Sequence, residues 1–421
     1  MAKSMNYKIK KICIIGLGYV GLPLSIEFSK YHKVIGFDTD SQRVRELNNF
    51  YDRNNEFKKS QLKKQKNINF TSEVNHLINC NIYIVTVPTP VKKNKSPDLN
   101  PLIQSSKLVG KFLRKEDIII YESTVYPGCT EEVCVPILEK KSQLIYNKDF
   151  FCGYSPERIN FGDRRHKLTT IKKITSGSNS KIANIIDKLY SQIIKAGTYK
   201  AESIIIAEAA KVIENTQRDL NIAYMNELSM IFNRLKINTQ KVLNAAGSKW
   251  NFINFKPGLV GGHCIGVDPY YLTYKSKKIG YNPKLILKGR VINDQMPKYI
   301  FQKIKKIIKN KNKVLFLGAT FKENIPDFRN SQSLSLFKLI KKKFQADLVD
   351  PLIDTELFFK SEKLKISKKI SNKKYDAVIV AVKHDKIKEF GMNKIISVSK
   401  KNAVLIDIFN LFKSKNNKFE L

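Results

Sequence analysis

A glycine-rich turn near the start of the chain constrains its fold more than any other feature. The apolar run 11–15 leads into the motif GLGYVG at 16–21, and a segment with a helical pattern follows. A second apolar run, 34–37, ends in Asp38. The sequence thus predicts a strand, a tight turn, a helix and a second strand closed by an acid, which is the opening unit of a doubly wound parallel sheet.

Each residue type in this unit suits a dinucleotide. Gly16 permits the tight turn, Gly18 lets the backbone approach a pyrophosphate, and Gly21 lets the helix pack closely on the strand. The amino end of the helix faces the phosphate charge. Asp38 accepts hydrogen bonds from ribose hydroxyls and repels the 2′-phosphate of NADP, and Arg43 is placed to cover the adenine or a phosphate. The pattern therefore predicts an NAD site.

Two more buried strands are predicted over 81–87 and 117–121. They end in turns that contain Thr89 and Thr124. Ligands bind at the carboxyl edge of doubly wound sheets, so both hydroxyls are candidate ligand contacts. The alternative is that they are ordinary turn residues.

A long helix is predicted over 201–235, a stretch without Gly or Pro. Lys211, Asn215 and Arg218 are spaced i, i+4, i+7 and so share one face, which is either solvated or part of a site. We expect this helix to join two domains and to pair with its copy in a homodimer.

The loop 255–270 is unlike its surroundings. Four glycines surround the pair His263-Cys264, and Asp268 follows. Glycines allow a backbone to press against a ligand, and Cys264 and Asp268 can meet across one helical turn. His263 either binds a ligand or braces the loop, and bracing is favoured.

A second α/β domain with a degenerate glycine turn is predicted to open at 314–318, and its later strands are expected at 346–349, 377–382 and 403–406. The Lys-rich stretch 299–313 is interpreted as an amphipathic helix and linker. The predicted fold is therefore α/β, with two Rossmann-like doubly wound domains joined by a long central helix. The predicted boundaries are 1–200 for NAD binding, 201–297 for the helical domain and 298–421 for the second Rossmann-like domain.

The net charge of +39 is the most conspicuous compositional feature, and 65 of the 76 basic residues are Lys. Because the Lys are spread along the whole chain, they predict a solvated coat that favours anionic substrates, and nucleic-acid binding is the disfavoured alternative. Six cysteines without CxxC spacing predict reduced thiols and no metal site. No apolar run reaches the ~18 residues of a membrane span, so we expect a cytoplasmic protein without a membrane partner.

Seven motifs together resemble one family. The chain is similar over essentially its whole length to the UDP-sugar 6-dehydrogenases of the UDP-glucose/GDP-mannose dehydrogenase superfamily. The residues within these motifs are most similar to those of the Vi-antigen type UDP-N-acetylglucosamine 6-dehydrogenases, which supply uronic acids for surface polysaccharides. The motifs are GLGYVGLPL at Gly16, VPTP at Val87, ESTVYPG at Glu122, SPERIN at Ser155, EAAKVIENTQRDLN at Glu208, GLVGGHCIGVDPYYL at Gly258 and TFKENIPDFRNS at Thr320.

The resemblance implies a four-electron oxidation of the sugar C6 alcohol to a carboxylate with NAD⁺. It makes Cys264 the nucleophile of a thiohemiacetal and then a thioester. Lys211 would stabilise charge at the C6 oxygen or shuttle a proton. Asn215 would hold the oxyanion with a bound water, and Asp268 would place water or tune Lys211.

The remaining roles also come from the resemblance. Thr124 and Glu157 would handle the water for hydrolysis, with Glu157 as the base. The substrate site would comprise Glu157, Arg158, Ile159, Lys211, Asn215, Arg218, Gly261 and Lys322. The cofactor site would comprise Gly16, Gly18, Tyr19, Val20, Gly21, Asp38, Arg43, Thr89, Thr124 and Arg329.

One departure and several alternatives accompany the resemblance. Phe161 stands where relatives generally carry Pro, so we expect a different shape for the loop that carries Ile159 and Asn160, whereas Glu157 and Arg158 precede the change. UDP-N-acetylglucosamine is the favoured substrate, and UDP-N-acetylgalactosamine, UDP-N-acetylmannosamine and UDP-glucose are alternatives. A two-electron 2-hydroxyacid-type dehydrogenase is disfavoured because it needs neither Cys264 nor a second nucleotide domain.

Overall fold

The computed structural model describes residues 7–92, 94–159, 166–309, 312–414, 416–419 and 421. The chain divides into two compact units. The first comprises Met1–Glu214 with Tyr270–Tyr281, and the second comprises Asn215–Pro269 with Asn282–Leu421. The three predicted domain boundaries stay a prediction.

The first unit is built on an eight-stranded sheet with the order β3-β2-β1-β4-β5-β6-β7-β8. Neighbouring strands are parallel except for β6 and β7. The order 3-2-1-4-5 is that of a doubly wound dinucleotide-binding sheet, which confirms the predicted fold class. The strands are β1 (Ile12–Ile15), β2 (Val34–Phe37), β3 (Ile68–Thr71), β4 (Ile82–Val85), β5 (Ile118–Tyr121), β6 (Phe151–Tyr154), β7 (Lys173–Gly177) and β8 (Thr198–Lys200).

Helices connect these strands as parallel crossovers require. Asp40 caps the second helix by accepting from the Arg43 N–H, and Asn179 caps the sixth in the same way. The helices are α1 (Gly21–Phe28), α2 (Ser41–Asn48), α3 (Lys59–Lys63), α4 (Asn100–Gly110), α5 (Val135–Ser142) and α6 (Ser180–Ser191).

The predicted long helix is present as α7 (Ile204–Arg234), with 31 residues. It is followed by α8 (Thr239–Ala246), and α9 (Asp268–Lys278) begins directly after the cysteine loop.

The second unit is built on a four-stranded parallel sheet with the order β10-β9-β11-β12. The strands are β9 (Lys313–Leu317), β10 (Gln345–Val349), β11 (Tyr375–Val380) and β12 (Ser399–Asp407). The helices are α10 (Lys284–Ile308), α11 (Gln332–Lys343), α12 (Thr355–Glu362) and α13 (Asp385–Ser397), which is interrupted at Gly391. The helix predicted over 299–313 thus begins at Lys284, well before the expected start.

Apolar side chains on both faces of each sheet form the cores. In the first unit, Ile12, Ile14, Ile82 and Ile84 pack with α6 on one face. Leu17 and Leu22 pack on the same face with neighbours from α2, α3 and β3. The strand residues that alternate with these isoleucines are buried on the other face. Strands buried on both faces read as continuous apolar runs, which is why the sequence revealed them.

The two units repeat one turn geometry after their first strands. Gly16 has φ +96° and donates its N–H to a strand carbonyl at 2.8 Å, and Gly318 has φ +94° and does the same at 2.9 Å. The next N–H then donates to the acid that closes the neighbouring strand. This bond is 2.7 Å long to Asp38 in the first unit and 2.8 Å long to Asp350 in the second.

Among the described helices, none is both long enough and apolar enough to cross a bilayer.

Candidate active site

The glycine turn after β1 has the geometry that the sequence predicted for a dinucleotide. A Cβ on Gly21 would lie 1.8 Å from the Gly16 carbonyl oxygen, so α1 can approach β1 only with glycine at this position. A Cβ on Gly18, in contrast, would meet nothing within 4 Å. Gly18 therefore borders open space at the amino end of α1, where a phosphate is favoured. These residues fit an NAD pyrophosphate.

Asp38 is held at the end of β2 by two backbone donors. Its two carboxylate oxygens accept N–H bonds from Leu17 (2.7 Å) and Asp40 (2.9 Å). Carboxylate oxygens have further lone pairs, so the half-buried Asp38 retains capacity for ribose hydroxyls.

Arg43 turns inward rather than towards open space. Its Nε donates to the Leu17 carbonyl at 2.9 Å, and its guanidinium lies 2.8 Å from Asp52. Arg43 is buried, so the described contacts make it a support of the glycine turn. Its contact with an adenine or a phosphate stays a prediction.

The other cofactor candidates border the same sheet edge. Tyr19 and Val20 lie within the turn, and Thr89 and Thr124 follow β4 and β5; all four are half-buried. Sequence reasoning missed Thr86, whose Oγ1 lies 2.9 Å from the Ile15 carbonyl oxygen and 2.7 Å from that of Gly16. A threonine that ends a strand beside a glycine turn is the signal that could have identified it.

The cysteine loop is shaped by close backbone approaches. A Cβ on Gly261 would lie 2.5 Å from the Asn330 carbonyl oxygen, and one on Gly262 would lie 2.5 Å from the Phe321 ring. Gly262 also has φ +83°, a conformation that other residues rarely adopt. Glycine is therefore required for the loop that presents Cys264, the only cysteine of the six that is not buried.

Cys264, Asp268 and Asn215 come together within the second unit. The Asp268 N–H donates to the Cys264 carbonyl at 2.8 Å, which closes the helical turn that the spacing predicted. The Asn215 amide donates to an Asp268 carboxylate oxygen at 2.5 Å. Lys211 lies one turn earlier on α7 and is buried, as are Asn215 and Asp268, whereas Arg218 is exposed.

His263 braces the cysteine loop against the loop after β9. Its Nε2 lies 2.8 Å from Asp327, and its ring meets Phe321 edge to face at 5.5 Å. Burial alone would raise the pKa of Asp327, but hydrogen bonds from His263 and Arg329 outweigh burial and hold this pKa well below its ordinary value. Arg329 is exposed and Lys322 is half-buried, and both lie on the same loop as Asp327.

Glu157 follows β6 and is held by its neighbours. Its Oε1 accepts N–H bonds from Arg158 and Ile159, both at 2.6 Å. The Arg158 guanidinium lies 2.7 Å from Glu214 and donates to the Lys172 carbonyl at 2.8 Å. Phe161, which departs from the family pattern, lies outside the described residues.

A buried charged cluster behind Glu157 was missed by sequence reasoning. The Lys173 ammonium lies 2.7 Å from Glu122 and 3.3 Å from Glu157, and the Tyr190 hydroxyl donates to Glu122. Burial raises the pKa of Glu122 to about 7, although the charge of Lys173 opposes this shift. We call Glu122, Lys173, Glu157 and Tyr190 the glutamate–lysine cluster.

A second missed carboxylate, Glu208 on α7, accepts N–H bonds from Gly128 (2.5 Å) and Thr130 (2.9 Å). Burial raises the pKa of Glu208 to about 7 as well. Within the part of the chain that the structure describes, no group of three or more His, Cys, Asp or Glu side chains is placed to hold a metal ion.

Three family models match consecutive parts of the chain. They are the NAD binding domain (residues 10–194), the central domain (206–295) and the UDP binding domain (315–414) of the UDP-glucose/GDP-mannose dehydrogenase family. The first match agrees with the glycine turn and Asp38, so the cofactor is NAD.

Two curated relatives are similar over nearly the whole chain. A UDP-N-acetyl-D-glucosamine 6-dehydrogenase of Salmonella typhi is 54% identical over 405 residues, which are 94% of this chain and 95% of the relative. The protein of the same name from Pseudomonas aeruginosa is 51% identical over 94% of this chain and 96% of its own length.

A solved structure described as a UDP-D-ManNAc dehydrogenase of Pyrococcus horikoshii is similar with a TM-score of 0.85 and 27% identity, over 97% of both chains. Domain matches, relatives and structure thus point to one family. The chain belongs to the UDP-glucose/GDP-mannose dehydrogenase family.

Proposed function

We propose that this protein oxidises the C6 hydroxyl of UDP-N-acetylglucosamine to the carboxylate, with Cys264 as nucleophile, for the synthesis of a surface polysaccharide. The observation that carries the proposal is that Cys264, on a loop that only glycine permits, is joined through Asp268 at the start of α9 to Asn215 of α7. The substrate choice is supported by identity of 54% and 51% to two UDP-N-acetyl-D-glucosamine 6-dehydrogenases, against 27% to the UDP-D-ManNAc enzyme.

Cys264 makes the four-electron oxidation possible because it retains the intermediate. Bound NAD⁺ supplies the hydride acceptor for each oxidation. After the first oxidation, the Cys264 thiolate forms a C–S bond to the C6 aldehyde carbon, and the second oxidation turns this adduct into a thioester. Lys211 exchanges the proton of the C6 oxygen or stabilises its charge, and Asn215, oriented by Asp268, donates to the developing oxyanion.

Hydrolysis ends the reaction and needs a base. Water attacks the thioester carbon, Glu157 accepts its proton, the C–S bond breaks, and the Cys264 thiolate leaves. Thr124 orients this water through its hydroxyl. No electrons are transferred in this step, so two hydrides are removed per sugar in the whole reaction.

The rest of the substrate is held by cations and backbone. Lys322 binds the UDP, Arg329 contacts the cofactor, and Gly261 contacts the sugar through its backbone. Residues Arg158, Ile159 and Arg218 contact the sugar nucleotide. We assign the NAD, helical and UDP-sugar functions to 1–200, 201–297 and 298–421.

The test is the number of NADH formed per UDP-N-acetylglucosamine consumed. We expect two with the wild-type protein and a collapse of turnover in Cys264→Ala. Cys80→Ala, which removes a cysteine outside the proposed site, serves as the matched control and should keep the ratio of two. A ratio of one would mean that the aldehyde is released and that the role given to Cys264 is wrong.

The alternative substrates are tested in the same assay. UDP-N-acetylgalactosamine, UDP-N-acetylmannosamine and UDP-glucose replace UDP-N-acetylglucosamine at equal concentration. A higher kcat/KM for any of them would overturn the substrate choice but leave the Cys264 route standing.

We further propose a homodimer built on α7. Four exposed apolar residues of this helix, and a fifth directly after its end, recur at spacings of 7, 11, 7 and 4, which return to one face of an α-helix. These residues are Ile206, Ile213, Tyr224, Ile231 and Leu235. An unpartnered apolar stripe of this length is typical of a helix that pairs with another copy.

Light scattering after size exclusion tests the dimer. We expect Ile213→Glu to give the mass of a single chain, 48.4 kDa, and the wild type to give twice that mass. Ile396→Glu, at an equally exposed apolar position on α13, is the matched control. A single-chain mass for the wild type would contradict the proposal.

A further inference from the structure

The glutamate–lysine cluster places one buried cation between two carboxylates. Lys173 starts β7, Glu122 follows β5, and Glu157 follows the intervening strand β6. The exposed fractions of the three side chains are 2%, 0% and 9%. The Lys173 ammonium also lies 5.5 Å from the centre of the Tyr190 ring on α6. Glu157 is thus the one carboxylate of the cluster that borders the surface.

The cluster contains one ammonium group and two carboxyl groups. Burial opposes the charged form of Lys173, but the two carboxylates outweigh burial and raise the pKa of Lys173 above its ordinary value. The ammonium therefore stays charged. Arg158 and Glu214 pair with each other beside the cluster, so they add no net charge to it.

A buried ammonium needs a counter-ion in every state of the reaction, because an unpaired buried charge is costly. If Glu157 were its only partner, protonation of Glu157 would leave Lys173 unpaired. Glu122, at 2.7 Å, remains as partner when Glu157 has taken up a proton. A second carboxylate behind the lysine thus removes the penalty for proton uptake by the first.

We propose that Lys173 is a positioning residue that orients Glu157 through Oε2, and that Glu122 is the counter-ion that keeps Lys173 paired while Glu157 accepts the proton of the hydrolytic water. This inference rests on the proposed function, which makes Glu157 the base for thioester hydrolysis. The proton moves from water to the Glu157 carboxylate and later to solvent. The Cys264 C–S bond is the only covalent bond to sulfur that breaks.

The inference predicts opposite effects for two variants. Lys173→Met removes the cation beside Glu157, which favours the neutral carboxyl, so hydrolysis should need a higher pH. Glu122→Gln removes the negative charge that Glu122 carries around and above its pKa of about 7, which favours the Glu157 carboxylate, so the acidic limb of the pH–rate profile for hydrolysis should move to lower pH. The Lys173 ammonium lies 3.3 Å from Glu157, and an opposite charge this close shifts the titration of a carboxyl group by about one pH unit or more.

The experiment follows loss of the Cys264 thioester by acid quench and mass spectrometry in single turnovers with excess NAD⁺, from pH 5 to 9. We expect the thioester to persist roughly tenfold longer near neutral pH in Lys173→Met. The acidic limb of the pH–rate profile for its hydrolysis should be displaced to higher pH. In Glu122→Gln the acidic limb of this profile should be displaced to lower pH. Lys173→Arg keeps the charge and should restore the wild-type limb.

Controls separate this inference from the proposed function and from misfolding. Lys172→Met changes the exposed neighbour of Lys173 and should leave the limb in place. Thermal unfolding of each variant checks folding, and Glu122→Gln alone still tests the sign if Lys173→Met does not fold. The inference would be overturned if the acidic limbs of the pH–rate profiles of Lys173→Met and Glu122→Gln stayed fixed or moved in the same direction. A wild type that forms one NADH per sugar would instead overturn the proposed function.

Discussion

Two glycines of the same turn should respond to alanine in opposite ways. In Gly21→Ala the new methyl would lie 1.8 Å from the Gly16 carbonyl oxygen and 2.5 Å from the Thr86 Oγ1. Carbon–oxygen contacts are normally about 3.3 Å, so α1 must move by more than about 1 Å. This helix buries Leu22 and Leu24. Its displacement should cost about 2–3 kcal/mol, a fall of roughly 5–10 °C in Tm.

Gly18→Ala is the matched change in open space. Its methyl meets no protein atom within 4 Å, so Tm should stay within about 1 °C of the wild type. The methyl would, however, stand where the pyrophosphate approaches, so the Kd for NAD⁺ should rise at least about tenfold. The two variants are compared by thermal unfolding without ligand and by NAD⁺ titration. Equal Tm losses, or unchanged NAD⁺ affinity in Gly18→Ala, would refute this interpretation of the turn.

Two further predictions concern carboxylates. Asp38→Asn keeps an acceptor for the Leu17 N–H but loses the charge, so the Kd for NAD⁺ should rise about tenfold and the preference for NAD⁺ over NADP⁺ should become smaller. Titration with both cofactors checks this, and an unchanged preference would contradict it. The pKa of Glu208 is raised by burial from 4.5 to about 7, so the folded state holds this proton more tightly than the unfolded state. The free energy of unfolding should therefore fall as pH rises from about 4.5 to 7, and Glu208→Gln should flatten that slope in urea unfolding at several pH values.

The local requirements of the glycine turn made the first unit predictable. Predicted strands 11–15 and 34–37 match β1 and β2 within one residue, since both are buried on two faces. The cysteine loop was also recognisable, because four glycines near one cysteine are uncommon. Its partners were not, since the contacts of Gly261 and Gly262 come from residues more than fifty positions later.

The start of α10 was missed for a physical reason. Its buried face includes Arg290 and Asn293, which pair with Asp219, so the apolar period that predicts a helix is interrupted by polar residues. Pro297 lies inside the same helix and is normally read as a stop. The glutamate–lysine cluster was missed similarly, because Glu122 and Lys173 are 51 residues apart and meet only once β5, β6 and β7 are adjacent.

The acidic residue that accepts the backbone N–H bond of the second glycine turn is buried in the protein interior. Asp350 is fully buried and accepts bonds from Ala319 and Leu352, and the His384 ring lies 3.2 Å away. Asp38, its counterpart, remains half-buried. Burial of the closing acid therefore distinguishes a turn that can bind a ribose from one that has only a structural role. Glycine spacing alone does not make this distinction. To convert the second turn into another dinucleotide cradle, a protein engineer would have to displace the His384 ring rather than restore glycines.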